Sequence, residues 1–471
     1  MFGIIGGSVA GLFTARALAR KGWKVTVIEP DAAGGTADAD RTFDEWQRPG
    51  VPQLRQPHSI RAQARRLLLD RDPEMAADIL GSGVLEWTYR LKRPGVEMVT
   101  DDELVGILGR RTTYEPAIRR RVELTPGVTF IRAAISGLLL DTGDRPKVTG
   151  VRLRDGRELE FDCVVDASGR RTRLPDWLRE AGIEPPAEEV QEAGMIYYSR
   201  FFRFLPGVRV SQGDGLRSGP AGNLPLVSFR SNTTDRNTFS LLTAVASWEP
   251  RFRSLRDDGV FNAFAGRLPG VAGWIDPAVS QPISKVHAFG GIYDRYWEFL
   301  REGRPIVRDL YSVGDSRVHT SPYFGWGITL SLNHAHFLAE TFDGPGKEDS
   351  QIAFERIAGK FSYDYYEGAA GEDAARSALW QGKQPADPDR YGFYVSTLQP
   401  ATQRDPHVFR AVYRRLNLLD DINDIFTNEE ILGRARDAVK SIPPGTTTAD
   451  EVMAYLSEAE ASVGRLAVAS A

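Results

Sequence analysis

Residues 3–31, GIIGGSVAGLFTARALARKGWKVTVIEPD, constrain this chain more than any other stretch. An apolar, β-branched run meets a Gly-rich turn, an amphipathic helical pattern follows, and a second β-branched run ends in an acid. That is the pattern of a βαβ unit that binds a dinucleotide. Gly6 permits the tight turn, and Gly11, lacking a side chain, lets the helix pack closely on the strand. The free N–H groups and positive dipole end of the helix then face a pyrophosphate. Glu29 falls about 20 residues after the turn, where a carboxylate reaches ribose hydroxyls. Within Gly6-Gly7-Ser8-Val9-Ala10-Gly11, Ser8 stands in the middle-glycine place of GxGxxG.

A chain of 471 residues holds enough core for two or three domains. A net charge of −4 offers nothing to a nucleic-acid polyanion. Cys163 is the single cysteine, so neither an internal disulfide nor a Cys-x-x-Cys pair can form, which excludes the dithiol flavoenzymes. Its apolar strand context predicts a buried structural thiol. No run of about 18 apolar residues occurs, so no transmembrane helix is expected. The first strand begins without a basic segment before it, and a cytoplasmic protein is expected.

Further along, residues 57–81 carry helical spacing, 84–91 a strand pattern, and 115–122 an Arg-rich helix. Strand patterns recur at 128–132, 148–153 and 161–166, with a hairpin signal at Asp155-Gly156. From about 190 to 250 the period becomes two, with strands near 197–203, 223–229 and 237–246, indicating an inserted antiparallel sheet. Residues 308–315 read as a strand, 327–341 as a helix, and 350–471 as mostly helical. The fold class is therefore α/β: a Rossmann-like domain, an inserted antiparallel sheet and a helical C-terminal region. The expected boundaries are 1–83 with 100–188 and 285–345 for the nucleotide-binding domain, 84–99 with 189–284 for the β-sheet domain, and 346–471 for the helices.

Three stations stand in order: the opening βαβ unit, VVDASG at 164–169, and Gly314-Asp315 followed by Pro322, Gly325 and Gly327. This series resembles the FAD-dependent monooxygenases of the para-hydroxybenzoate hydroxylase type (group A) over roughly residues 2–345. RPGVPQLRQPHSIRAQARRLL and GGIYDRYWEF…RPIVRDLYSVGD resemble, within it, the bacterial natural-product epoxidases and hydroxylases, including the polyether epoxidase group.

The resemblance implies the glutathione reductase type for the Rossmann-like domain, and roles for named residues. Gly6, Ser8, Gly11 and Glu29, with Gly7 and Ala10 in the same turn, would hold the ADP half of FAD. Arg111 matches an arginine that contacts the ribityl-phosphate side. Ser168, Gly169 and Thr172 occupy a second fingerprint that usually reads DG-x-x-S; Ser168 replaces its Asp. Gly314 and Asp315 would bind ribityl hydroxyls, and Pro322, Gly325, Gly327 and Ile328 would approach the pyrimidine edge of the ring. Arg48, Gln53 and His58 fall where FAD and the pocket mouth are lined. The inserted sheet would supply an aromatic pocket wall from Tyr197, Tyr198, Phe201, Phe229, Trp248 and Phe289, joined by Tyr323, Phe324 and Trp326 of the flavin-facing loop.

The implied reaction inserts one atom of O2 into an apolar organic substrate, by epoxidation or hydroxylation, through a flavin C4a-hydroperoxide. The flavin carries the chemistry, and no catalytic side chain is assigned. The reductant would be NAD(P)H, bound transiently because no second GxGxxG follows a strand, or a partner flavin reductase. No metal is expected: His334 and His336 stand two apart on a helix and point to different faces. Three alternatives stay open, one of them a flavin-bound protein with a non-catalytic role. A reductase of prenyl-type double bonds is compatible with the Ala-Ser-Gly form of the second motif. A flavin halogenase would carry a Trp-x-Trp-x-Ile-Pro segment and a reactive lysine; the segment is missing, and residues 48–91 hold no lysine.

Overall fold

The computed structural model describes residues 1–32, 34–35, 38–90, 99–208, 218–442, 445 and 447–469. In chain order the elements that position the site are β1 (Phe2–Ile5), α1 (Val9–Arg20), β2 (Val25–Ile28), α2 (Arg111–Glu123), β3 (Val128–Ile131), β4 (Cys163–Asp166), β5 (Met195–Phe204), β6 (Val227–Thr233), β7 (Thr238–Ala246), β8 (Leu310–Ser312), α3 (Gly327–Thr341) and α4 (Glu348–Trp380).

Five strands make a parallel sheet in the order β8-β4-β1-β2-β3. The register sets Ile5 beside Asp166 and Asp166 beside Ser312. The strands preceding the three stations are therefore neighbours, and their carboxyl ends open on one edge, the edge at which open α/β sheets bind ligands. β1, β2, β4 and β8 are buried on both faces, by α1, α2 and α3 on one side and by Leu138, Val148 and Val151 of the strands Ile135–Asp141 and Lys147–Leu153 on the other. Val9, Leu12 and Phe13 of α1, Ile118 and Val122 of α2, and Leu332, Ala335 and Leu338 of α3 pack into one core with Ile4, Val27 and Val165. Cys163 is buried in this sheet, and burial pushes its thiol pKa up, as expected of an inert structural cysteine.

The second sheet is antiparallel, in the order Ser218–Leu224, β6, β7, β5, Ser280–Pro282, with His287–Phe289 also paired to β5. One face is apolar, built on Tyr198, Phe202, Phe229, Phe239 and Val245. It is covered by Phe261 and Phe264 of the helix Asp258–Ala265 and by Val452 and Leu456 of the last helix, Ala449–Ala469.

Two differences from the sequence reading have local causes. The helical spacing over 57–81 resolves into a strand, Ser59–Ile60, and two helices, Ala62–Arg71 and Pro73–Gly81. Asp72 ends the first helix and caps the second by accepting from Met75 N at 3.3 Å, and Pro73 occupies the first turn, where its missing N–H costs nothing. Leu85–Thr88, grouped from sequence with the inserted sheet, pairs with Val105–Leu108, because Trp87 and Leu108 share a cluster with Tyr89 and Leu104. Residues 91–98 of that segment lie outside the described residues. Among the described residues no helix is long and apolar enough to cross a membrane.

Candidate functional site

The three stations close around one cavity of about 420 Å3. The turn after β1 sets its first wall. Gly6 has φ +102°, and a Cβ there would lie 2.6 Å from the carbonyl oxygen of Ala167, so the first and second stations touch backbone to backbone. A Cβ on Gly11 would lie 1.9 Å from the carbonyl oxygen of Gly6, the close helix–strand approach that the third motif glycine provides. Ser8, at the N-cap of α1, makes no side-chain capping bond. Its hydroxyl accepts from Arg111 Nη2 at 2.6 Å and donates to Glu115 Oε1 at 2.9 Å. Ser8, Val9 and Ala10 line the cavity, so the uncapped first turn of α1 presents its N–H groups there.

Glu115, fully buried, receives Arg111 Nε at 2.5 Å and Arg48 Nη1 at 2.9 Å. Burial opposes its ionisation, yet Arg111 and Arg48 together keep its carboxyl below the usual range. Arg48 also reaches Glu29 at 3.0 Å and Asp31 at 3.1 Å. Glu29 spends its oxygens on Gly7 N at 2.7 Å, on Arg48 and on Asp31 N at 2.9 Å.

At the second station, Asp166 organises the turn. Its Oδ1 accepts from Ser168 N at 2.9 Å and Ser168 Oγ at 2.6 Å, and its Oδ2 from Thr172 Oγ1 at 2.5 Å. Gly169 N donates to Ser316 Oγ at 2.8 Å, which ties this turn to the third station. There a Cβ on Gly314 would lie 2.7 Å from Ala10 Cβ. Gly314 N donates to His334 Nδ1 at 3.0 Å, so the His334 proton sits on Nε2 and goes to Ser362 Oγ at 2.9 Å. Burial, reinforced by the Arg317 charge, holds His334 neutral. Asp315 Oδ2 lies 3.4 Å from His319 Nδ1. Burial disfavours its charge, but His319, Arg111 and Arg170 outweigh burial and lower its pKa. Helix α3 starts at Trp326, again without a side-chain cap, and Gly327 and Ile328 line the cavity.

Of the residues singled out from sequence, Ser8, Ala10, Gln53, His58, Arg111, Ser168, Gly169, Asp315, Pro322, Gly325, Gly327 and Ile328 line this cavity, with Tyr197, Phe289, Tyr323 and Trp326. Gly6, Gly11 and Gly314 stand behind the wall as packing positions. Gly7, Glu29 and Arg48 border a smaller, separate void. Phe201, Phe229 and Phe324 are not on the wall. Phe201 meets the ring of Phe43 at 5.1 Å, Phe229 joins the opposite face of the sheet with Tyr198, and Phe324 stacks on Trp326 at 4.5 Å. Trp248 is 41% exposed, against Trp380. Sequence reasoning missed Arg61, Gln56, Arg230, Asn232, His319 and Ser321, all on the wall. Alternation along β6 could have found the pair Arg230 and Asn232, since Phe229 faces the core.

The wall fits a large polar ligand. His319 Nδ1 and Nε2, Thr320 Oγ1 and Gln53 Oε1 are buried there without hydrogen-bond partners among the described residues. Leaving such groups unpaired costs about 1–3 kcal/mol each, which a ligand with hydroxyls and ring heteroatoms offsets. Two helix N-termini and a chain of close glycine contacts complete a cradle of a size and chemistry that suit a dinucleotide such as FAD.

Comparison with known proteins agrees. Residues 2–123 match the model of the FAD dependent oxidoreductase family, and residues 111–187 match that of tryptophan halogenases. Protein Rv3254 of Mycobacterium tuberculosis is 28% identical over 462 residues, 92% of each chain. Among solved structures, pqsL of Pseudomonas aeruginosa, described as a probable FAD-dependent monooxygenase, superposes with a TM-score of 0.57 at 15% identity, over 81% of this chain and 99% of that one. The flavin-dependent brominase Bmp2 gives 0.58 at 14%, over 93% and 98%. The fold is that of the flavin monooxygenases and halogenases. Within this fold the cavity between the parallel and antiparallel sheets has walls of two kinds, a glycine-rich one from the three stations and a largely apolar one from Tyr197 of β5, Leu242 of β7, Phe289 and the loop 321–326.

Proposed function

We propose that this protein is an FAD-dependent monooxygenase that inserts one oxygen atom of O2 into a small organic substrate by epoxidation or hydroxylation. The carrying observation is the side-by-side register of Ile5, Asp166 and Ser312, which gathers three separately read motifs around one cavity. Bound FAD would supply the reduction by NAD(P)H, or by a partner reductase, and the reaction with oxygen. The chain's own residues would do the rest. The first turn of α1 and Arg111 receive the pyrophosphate side, Asp315 accepts from ribityl hydroxyls, and the N-terminus of α3 stabilises negative charge at the ring edge. Tyr197, Phe289, Tyr323 and Trp326 exclude water from the reacting side.

Labelled dioxygen is the test: the product of an accepted substrate carries one heavy oxygen atom. A product that is saturated and unlabelled would favour the prenyl-type reductase instead. The match of residues 111–187 to the halogenase model supports a second reading. Against it, no lysine stands among the described residues lining the cavity. A halogenated product formed in bromide or chloride would decide for it.

A further inference from the structure

The hairpin that joins β6 to β7 leaves the antiparallel sheet and meets the start of α2. Its Arg236 and Asn237 both have positive φ, 52° and 56°. A left-handed arginine is unfavourable and persists only where its surroundings over-determine it. Here Thr234 N donates to Thr238 O at 2.8 Å, and Thr238 Oγ1 donates to Asp235 O at 2.6 Å. What the turn fixes is the direction of Asp235, which is fully buried.

Asp235 Oδ1 accepts from Arg110 N at 2.7 Å. Its Oδ2 accepts from Arg110 Nη2 at 2.7 Å, from Arg110 Nε at 3.0 Å and from Thr113 Oγ1 at 2.9 Å. Arg110 is the N-cap of α2 and makes no side-chain capping bond of its own. In a capping box an acid at the third helical position reaches back to the N-cap N–H. Thr113 holds that position here, and an acid from the other sheet takes the part. A carboxylate there also suits the positive end of the helix. Asp40 widens the contact, accepting from Arg110 Nη2 at 2.8 Å and from Arg203 Nη2 of β5 at 2.7 Å. The Arg110 and Asp235 side chains are 1% and 0% exposed. A pair so dry keeps one geometry, because parting it leaves an uncompensated buried charge.

The next residue is Arg111, which donates to Ser8 Oγ at 2.6 Å and to Glu115 Oε2 at 2.5 Å and lines the cavity. A single step along the chain therefore separates the tip of the inserted sheet from the wall that would receive the pyrophosphate. We propose that Asp235 is a positioning residue of the cofactor site: it caps α2 from the inserted sheet, sets Arg111 against the first turn of α1, and so couples the docking of that sheet to cofactor affinity. This rests on the FAD reading, in that Arg111 serves the pyrophosphate side.

The test is a double-mutant cycle on the full chain. FAD affinity is read by flavin fluorescence for wild type, Asp235→Asn, Arg111→Gln and the double variant, and urea unfolding shows that each is folded at the assay temperature. Arg48 still pairs with Glu115 in the Arg111→Gln background. Asp235→Asn should weaken FAD about tenfold or more by itself, and less than about twofold once Arg111 is gone. An equal loss in both backgrounds, or no loss in either, would overturn the proposal, since a residue that only holds the fold together acts whether or not Arg111 is present. Where Asp235→Asn does not fold, Thr113→Val takes its place in the cycle; it removes one bond to Asp235 and should cost about threefold, again only with Arg111 present. A wild-type chain that takes up no FAD strikes the cofactor reading alone. Amide hydrogen exchange of the FAD-free chain then decides whether Asp235 positions α2: the variant should exchange faster over 113–118, and unchanged exchange would overturn the proposal.

Discussion

The indole Nε1–H of Trp326 donates to the carbonyl of Leu416 at 2.9 Å. Leu416 ends the helix Pro406–Leu416, and the next residue, Asn417, accepts from Ala62 N at 3.0 Å and Gln63 N at 3.2 Å. The C-terminal helices are thus fastened to the cavity loop and to the helix that begins after Arg61. Trp326→Phe keeps most of the ring and removes the donor. The expected cost is about 1–3 kcal/mol in urea denaturation, from an unpaired carbonyl. Under the proposed function, peroxide released per NAD(P)H should rise more than FAD affinity falls, because the loop that would shield the ring is loosened. A variant with wild-type stability and wild-type peroxide yield would remove the C-terminal region from the account of the site.

Asp294 supplies a pH prediction. It is buried, its Oδ1 accepts from Ser321 N at 2.6 Å, and its Oδ2 has no partner among the described residues. The nearby Asp373 already pairs with Arg376, on the helix α4. Burial, then the charge of Asp373, pushes the Asp294 carboxyl well above its ordinary range. The folded chain therefore keeps a proton that the unfolded chain has lost. Its contribution is full below the unfolded value of about 4 and fades as pH rises toward the folded one. Asp294→Asn, which mimics the neutral acid, should lose less stability than wild type as pH rises from about 4 in denaturant titrations. Identical slopes for the two proteins would mean that Asp294 is ionised in the fold.

Much of this arrangement is legible in the sequence because it is local. The βαβ turn, the Asp166 turn and the start of α3 are each set by residues within a few positions. Asp72-Pro73 is also a local stop-and-cap signal, although the apolar spacing of 57–81 runs across it and masks it. What is not legible depends on pairing at a distance. Glu29 has the spacing of a ribose ligand, yet Arg48 and Gly7 N engage it. Phe201 shares a strand face with Tyr197, yet Phe43 covers it. Arg230 and Asn232 are legible as a pair by alternation with Phe229, but that they share a cavity with Tyr197 follows only from β6 lying two strands from β5.

His58 predicts an acid limb. Its Nδ1 lies 2.7 Å from Gln56 O, which requires Nδ1–H and leaves Nε2 bare. Burial, aided by the Arg111 charge, lowers its pKa to about 4. The unfolded chain takes up a proton below pH 6.5 that the folded chain refuses, so this contribution is present above pH 6.5 and is lost as pH falls toward 4. The loss is on the order of 3 kcal/mol. His58→Gln should flatten the fall in unfolding midpoint across that window; an unchanged fall would place its cause in other groups, His334 first.

That three separate motifs make one FAD site is open to titration of the purified chain with FAD, read by flavin absorbance and bound stoichiometry. The predicted result is one FAD per chain, held without a covalent bond. Asp315→Ala should weaken it by about 1.5–3 kcal/mol for each charge-assisted hydroxyl bond lost. Gly11→Ala, whose Cβ would sit 1.9 Å from Gly6 O, should lose FAD while Arg230→Gln keeps it. A folded chain that stays colourless in excess FAD, or an Asp315→Ala variant with wild-type affinity, would contradict the account.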